Sequence, residues 1–190
     1  MSELSKTIKR TLASENPELS VDLRKMFDVD DFPNDVSLKQ AIGQEILDKI
    51  TSNTLKGDFI KESASAQKYS KEYSETLEFK VYGKQKSKVN LKASGDMLGS
   101  MQILIPDDDK IIVNFSDETE ASKAHGHITG SVGKKRDFFG LTQSDLDSIA
   151  KKFKGKVKEA QVFPEEQDRT VATDEDVDFI MRILNGSGES

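Results

Sequence analysis

The chain has 190 residues, 35% hydrophobic and 33% charged, which fits one domain with a lean core and a densely charged surface. No run approaches the ~18 apolar residues of a membrane span. The absence of cysteine excludes disulfides, thiolate nucleophiles and cysteine-held metals. The net charge of −6 sits at the C-terminal end, since residues 1–159 hold 26 basic and 26 acidic side chains and residues 160–190 hold 2 and 8. A neutral body lacks the basic excess of a general nucleic-acid binder.

MSELSKTIKR has no secretory apolar region, so cytoplasmic synthesis is expected. Leu4, Ile8 and Leu12 recur at helical spacing, predicting a first helix over residues 2–13 that Asn16-Pro17 ends. A short helix is expected from Ser20 to Phe27, then a loop over residues 28–35. Leu38, Ile42, Ile46 and Ile50, with Leu47 beside them, predict a strong helix capped by Asp35 or Ser37 and fading before Gly57. Residues 58–75 read as loop with helical turns.

In TLEFKVYG the period changes to two, with Leu77, Phe79 and Val81 alternating with polar residues or Tyr82, which predicts a half-buried strand. Gly83 opens the basic turn GKQKSK, and Val89 to Leu91 begins a return strand. Met101–Ile105 and Ile111–Phe115, joined by PDDDK, predict a hairpin.

Thr142, with Asp145 three residues on, caps a helix whose apolar stripe is Leu146, Ile149, Ala150 and Phe153 and which Gly155 ends. Lys156 to Phe163 reads as strand-like and PEEQDR as a linker. Thr173 caps a last helix with Val177, Ile180, Met181 and Leu184 on one side. Helices, then strands, then helices without βαβ alternation predict an α+β fold with an antiparallel sheet. The expected divisions are an N-terminal helical extension (1–33), an α+β core (34–163), and an acidic linker with a C-terminal amphipathic helix (164–190).

Candidate chemistry centres on residues 125–153. His125 and His127 form an H-x-H pair that would share a face, and a metal, on a strand. No further histidine or cysteine can complete the set, so hydrogen-bonding or interface roles are favoured and no metal or other cofactor is expected. GSVGKK is not a phosphate loop, because Ile128 stands where the first glycine is needed and Lys135 where Ser or Thr is needed. The PDDDK aspartates lack the calcium-loop pattern, and no carboxylate pair or serine lies in a catalytic motif. The lysines of GKQKSK and of residues 151–158 lack enough aromatic neighbours for base stacking and read as solvated faces. The chain is therefore expected not to be an enzyme.

Two blocks resemble a family of tailed-phage virion-morphogenesis proteins, the tail-completion or neck proteins. SGDMLGSMQI is similar to the family's T-G-x-L-x-x-S-I pattern through Ser94, Gly95, Met97, Ser100 and Met101. The second block joins His125 or His127 and Gly130 to an R-x-F-x-G-L-s pattern at Arg136, Phe138, Phe139, Gly140, Leu141 and Thr142. Ser94 and the two methionines replace the more usual Thr, Leu and Ile, and Phe139 stands where an aliphatic is common. The likeness covers roughly residues 36–155.

It implies a helix packed on an antiparallel sheet, in a subunit that forms a ring of six or twelve copies at the phage neck or tail terminus. Such a ring joins the portal connector to the tail tube or its terminator, and DNA passes through its lumen without specific binding. Its place is the virion, after assembly in the host cytoplasm, with no membrane partner. The resemblance makes Gly95, Ser100, His125, His127, Gly130, Arg136, Phe138, Phe139, Gly140 and Thr142 structural or interface residues. The competing expectation is a small metal- or nucleic-acid-binding accessory protein using His125, His127 and the lysine clusters.

Overall fold

A computed structural model describes residues 4–12, 15–60, 68–84, 86, 89–91, 95–106 and 108–162. The fold is α+β, as the element order predicts. Strands β1 (Ile8–Thr11), β2 (Glu18–Asp22), β3 (Met101–Leu104) and β4 (Lys110–Phe115) form one antiparallel sheet in the order β1-β2-β4-β3. The expected hairpin is present as β3 and β4, with Met101 opposite Phe115 and Ile103 opposite Val113.

Alternation puts Leu19, Val21, Ile111, Val113 and Phe115 on one buried face, and Ile8 and Met101 extend it to both edges. On the other side, Ser20, Ile112 and Asn114 are half-buried and Leu104 is exposed.

Helix α2 (Val36–Lys56) is the expected strong helix. The Asp35 carboxylate accepts from the Leu38 N–H at 2.8 Å, which settles the cap, and Gly57 closes the helix in the left-handed region at φ 75°. Leu38, Ile42, Ile46 and Ile50 are buried on its sheet side. At Gly43 the helix comes so close to the sheet that a Cβ would lie 2.8 Å from Ile103 Cγ2.

The N-terminal expectation is corrected. Residues 8–12 and 15–22 are not helical and form no separate extension; they supply two of the four strands of the described sheet, and Leu23–Phe27 forms a short helix, α1. Leu4, Ile8 and Leu12 are four apart, which fits one side of a helix, but they are also all at even positions, which fits one face of a strand. Asn16 helps decide the outcome by pairing with the end of β4. Its Nδ2 donates to the Phe115 carbonyl at 2.9 Å, and its Oδ1 accepts from the Phe115 N–H at 3.2 Å.

The second correction concerns residues 71–91. Lys71–Glu75 forms α3 and Leu77–Val81 forms α4, where a strand was expected. Thr76 caps α4, its hydroxyl accepting from the Phe79 N–H at 3.2 Å. Strand-like alternation would bury Leu77, Phe79 and Val81 together. In the helix Phe79 alone is buried, and Leu77 and Val81 remain 77% and 71% exposed. Val89–Leu91 is consequently irregular and forms no return strand.

Beyond α5 (Asp96–Gly99), helix α6 (Glu118–Thr129) holds both histidines, and α7 (Gln143–Val162) is the expected capped helix. It does not stop at Gly155, and residues 156–162 are helical rather than strand-like. Val157 continues the buried stripe of Leu146, Ile149 and Phe153, so burial carries the helix past a glycine that costs it only about 1 kcal/mol. Ser94 and the expected helix from Thr173 lie outside the described residues.

Candidate functional site

The corner between α6 and α7 is built from both ends of the chain. Gly130 ends α6 at φ 86°, and the Arg136 N–H donates to the His127 carbonyl at 2.8 Å, folding the turn back on the helix. Phe138, Phe139 and Leu141 are then 2%, 0% and 0% exposed. Two buried rings, Phe115 and Phe139, meet with centroids 5.1 Å apart.

Asp137, itself buried, receives Arg10 of β1 in a forked ion pair. The guanidinium reaches both carboxylate oxygens, and its Nη1 also donates to the Phe139 carbonyl at 3.0 Å. On the other side the Ile60 N–H donates to the Asp137 carbonyl at 2.6 Å. Leu4 bridges Thr142, and the Ser5 N–H donates to the Leu141 carbonyl at 3.2 Å.

A side chain at Gly140 would strike Leu4 and Ile60, with a Cβ 2.5 and 2.6 Å from their terminal carbons. At the exit, the Thr142 hydroxyl accepts from the Asp145 N–H at 3.2 Å, and the Asp145 carboxylate accepts from the Thr142 N–H at 3.0 Å. Burial opposes ionisation of Asp145, but these bonds and Lys49 outweigh it and hold its carboxyl below the usual range.

The first block is equally structural. Gly95 precedes α5 at φ 103°, and the Ser100 hydroxyl donates to the Met97 carbonyl at 3.0 Å. The Ser100 carbonyl accepts from the Ser116 N–H at 2.8 Å, closing the open end of the hairpin.

The shared-metal geometry for the histidines is corrected by their helix. Two residues apart on a helix is roughly 200° around the axis, so the imidazoles leave on different sides. Among the described residues no group of three or more His, Asp or Glu is placed to hold a metal ion. His127 is largely enclosed, and its Nδ1 finds no hydrogen-bond partner among the described residues. Burial first, then the positive charges of Arg136 and Lys84, push its pKa down to about 4, so it is neutral in the folded chain near pH 7.

Those two cations lead to a cluster that the sequence did not reveal. Tyr69, Tyr73 and Phe79 form a triangle with centroids 5.2 to 5.5 Å apart, two of the contacts edge to face. Lys84 lies 5.1 and 5.3 Å from the two tyrosine centroids, and the Arg136 guanidinium lies 5.8 Å from that of Tyr69. Burial lowers the Lys84 pKa, and burial with the nearby Glu78 carboxylate raises Tyr73 to about 12.

The reading of GKQKSK as lacking aromatic neighbours therefore holds along the chain, but in space Lys84 lies on the rings of Tyr69 and Tyr73. The local signal that could have found it is a tyrosine pair four apart, Tyr69 and Tyr73. The lysines of residues 151–158 do face outward from α7, Lys152 meeting Glu45. GSVGKK follows a helix instead of opening one, and Asp108 and Asp109 of PDDDK engage Lys110, Lys39 and Arg24.

No family model, curated protein or solved structure matches the chain.

Proposed function

We propose that the chain is a structural virion subunit that assembles into a ring at a phage neck or tail terminus, joining the portal connector to the tail. The resemblance of its two blocks supplies the identity of the assembly. The observation that carries the physical side is the open edge of β3. The first block leads directly into this strand, which is an edge strand of the described sheet with Leu104 exposed. The second block spends its side chains on fixing the corner, so the subunit contributes a rigid shape and surface complementarity, and DNA passes without specific binding.

Mass measurement and negative-stain imaging of the full-length protein test this reading. Closed rings are the expected result, and a strict monomer at every concentration overturns it.

A second reading, a nucleic-acid-binding accessory protein, is favoured by one observation: Lys84 and Arg136 gather on the Tyr69 and Tyr73 rings. A salt titration of DNA binding separates the two. The ring reading predicts weak binding with little salt dependence, whereas counterion release at a true site gives a steep loss with salt.

A further inference from the structure

The two ends of α2 carry surfaces of opposite character. At its C-terminal end, Ile60 bonds Asp137, and beside that corner stands the lobe of α3 and α4 with Arg136 over Tyr69. This lobe presents Leu77, Val81 and Tyr82, which are 77%, 71% and 44% exposed, with Leu77 and Val81 one helical turn apart on the side opposite Phe79. Its surroundings are basic. Residues 68–84, 86 and 134–136 hold eight basic side chains against three acidic ones, and the Lys134 ammonium reaches the Lys68 carbonyl at 3.4 Å, uniting the two segments.

At the N-terminal end of α2, a shallow groove of about 720 Å³ runs between the helix and the edge strand, bounded by Val36, Ala41, Ile103 and Ile105. It continues through Ser37 and Ala41 into a larger groove of about 1300 Å³ floored by Phe32 and Leu38. Asp31, Asp35, Asp108, Asp109 and Glu159 line that part against Arg24, Lys39 and Lys156, and Lys39 is buried in its ion pair with Asp109.

We infer that these are the two halves of one head-to-tail contact, the α4 face of one copy seating in the α2–β3 groove of the next. This rests on the ring reading and names the surfaces that it requires. Charge complementarity selects a second copy as the occupant: an apolar ridge rimmed by lysines meets a groove whose larger part carries five acidic side chains against three basic ones.

Geometry makes the contact intermolecular. Within a subunit the ridge does not lie in the groove: Leu77 and Val81 stand exposed, and the groove borders the N-terminal half of α2, a helix about 30 Å long. Two different patches on opposite ends generate a heterologous contact, which propagates from copy to copy and closes when the rotation between copies permits.

The test uses full-length protein in sedimentation velocity, with two double variants at exposed positions. Leu77→Asp/Val81→Asp removes the ridge, and Val36→Asp/Ala41→Asp charges the groove edge. Each alone is expected to stay monomeric while melting as a folded protein. Mixed one to one, they are expected to form a dimer and nothing larger, because each retains the half that the other has lost.

A milder pair, Lys80→Glu and Asp108→Lys, is expected to weaken assembly at least tenfold singly and to recover part of it when combined in one chain. If the wild type assembles and both double variants assemble equally well, or if the mixture stays monomeric, this interface is overturned and the ring reading stands. A wild type that never assembles overturns the ring reading itself.

Discussion

The corner at residues 136–142 and the lobe at residues 68–84 are neighbours that use apolar side chains in opposite ways. In the corner, Phe138, Phe139 and Leu141 are buried and the backbone is pinned from β1, from α6 and from Ile60. In the lobe, Phe79 is buried against two tyrosines, while Leu77 and Val81 stand in solvent. Long-range partners hold the first, and short-range ring contacts and caps hold most of the second. A segment fixed from several elements has few side chains left to offer. One fixed mainly by its own neighbours keeps a face free for another molecule.

The most damaging way to attack that contrast is to unpair Arg10. Asp137→Ala strands a half-buried guanidinium and is expected to cost about 3–5 kcal/mol in urea unfolding. Phe139→Ala belongs in the same range from its cavity. Losses under about 1 kcal/mol for both would mean that the corner is not the rigid half of the pair.

His127 sits where the two regions meet, and acid should find it. Its folded pKa of about 4 lies below the unfolded value of 6.5. Between those values the unfolded chain binds a proton that the folded chain refuses. The stability associated with neutral His127 is therefore complete above about pH 6.5 and is lost as the pH falls towards 4. The upper bound for the shift is roughly 3 kcal/mol. His127→Gln, which cannot titrate, should flatten this part of the pH–stability curve, and identical slopes for variant and wild type between pH 7 and 4.5 would remove His127 as the cause.

Smaller effects follow. Thr142→Ala removes the α7 cap and should cost about 1 kcal/mol, read as a lower urea midpoint with an unchanged slope. Leu77→Asn, on the lobe, should change stability by no more than about 0.5 kcal/mol. A penalty comparable with that of Phe139→Ala would show that Leu77 is covered within its own subunit, which would break the comparison.

How much of this the chain discloses depends on where each decision is made. The β3–β4 hairpin, α2 with its Asp35 cap, and the Thr142–Asp145 start of α7 are legible because period, cap and turn residues agree within a dozen positions. The corner is legible in part. Glycine spacing and the aromatic pair mark it, but Arg10 lies 127 residues from Asp137, and nothing local to either pairs them.

By itself the sequence determined the α+β class, the long helix, the hairpin and the capped final helix of the described fold. The tertiary structure alone decided the ambiguous periods. Leu4, Ile8 and Leu12 suit helix or strand, and the open edge of β4 took residues 18–22 as its neighbour. Leu77, Phe79 and Val81 suit a strand, but the tyrosines offer a pocket for Phe79 alone. Gly155 suits a helix end, but Val157 has a buried place one turn beyond Phe153.

For the N-terminal strands and for Gly155 the local energies differ by about 1 kcal/mol or less, while burial of one more large apolar side chain is worth roughly 1.5–3 kcal/mol. Contacts distant in sequence therefore set the outcome. The same reasoning explains the opposed surfaces at the two ends of α2: their residues are visible in the chain, but only the fold places them at different ends of that helix.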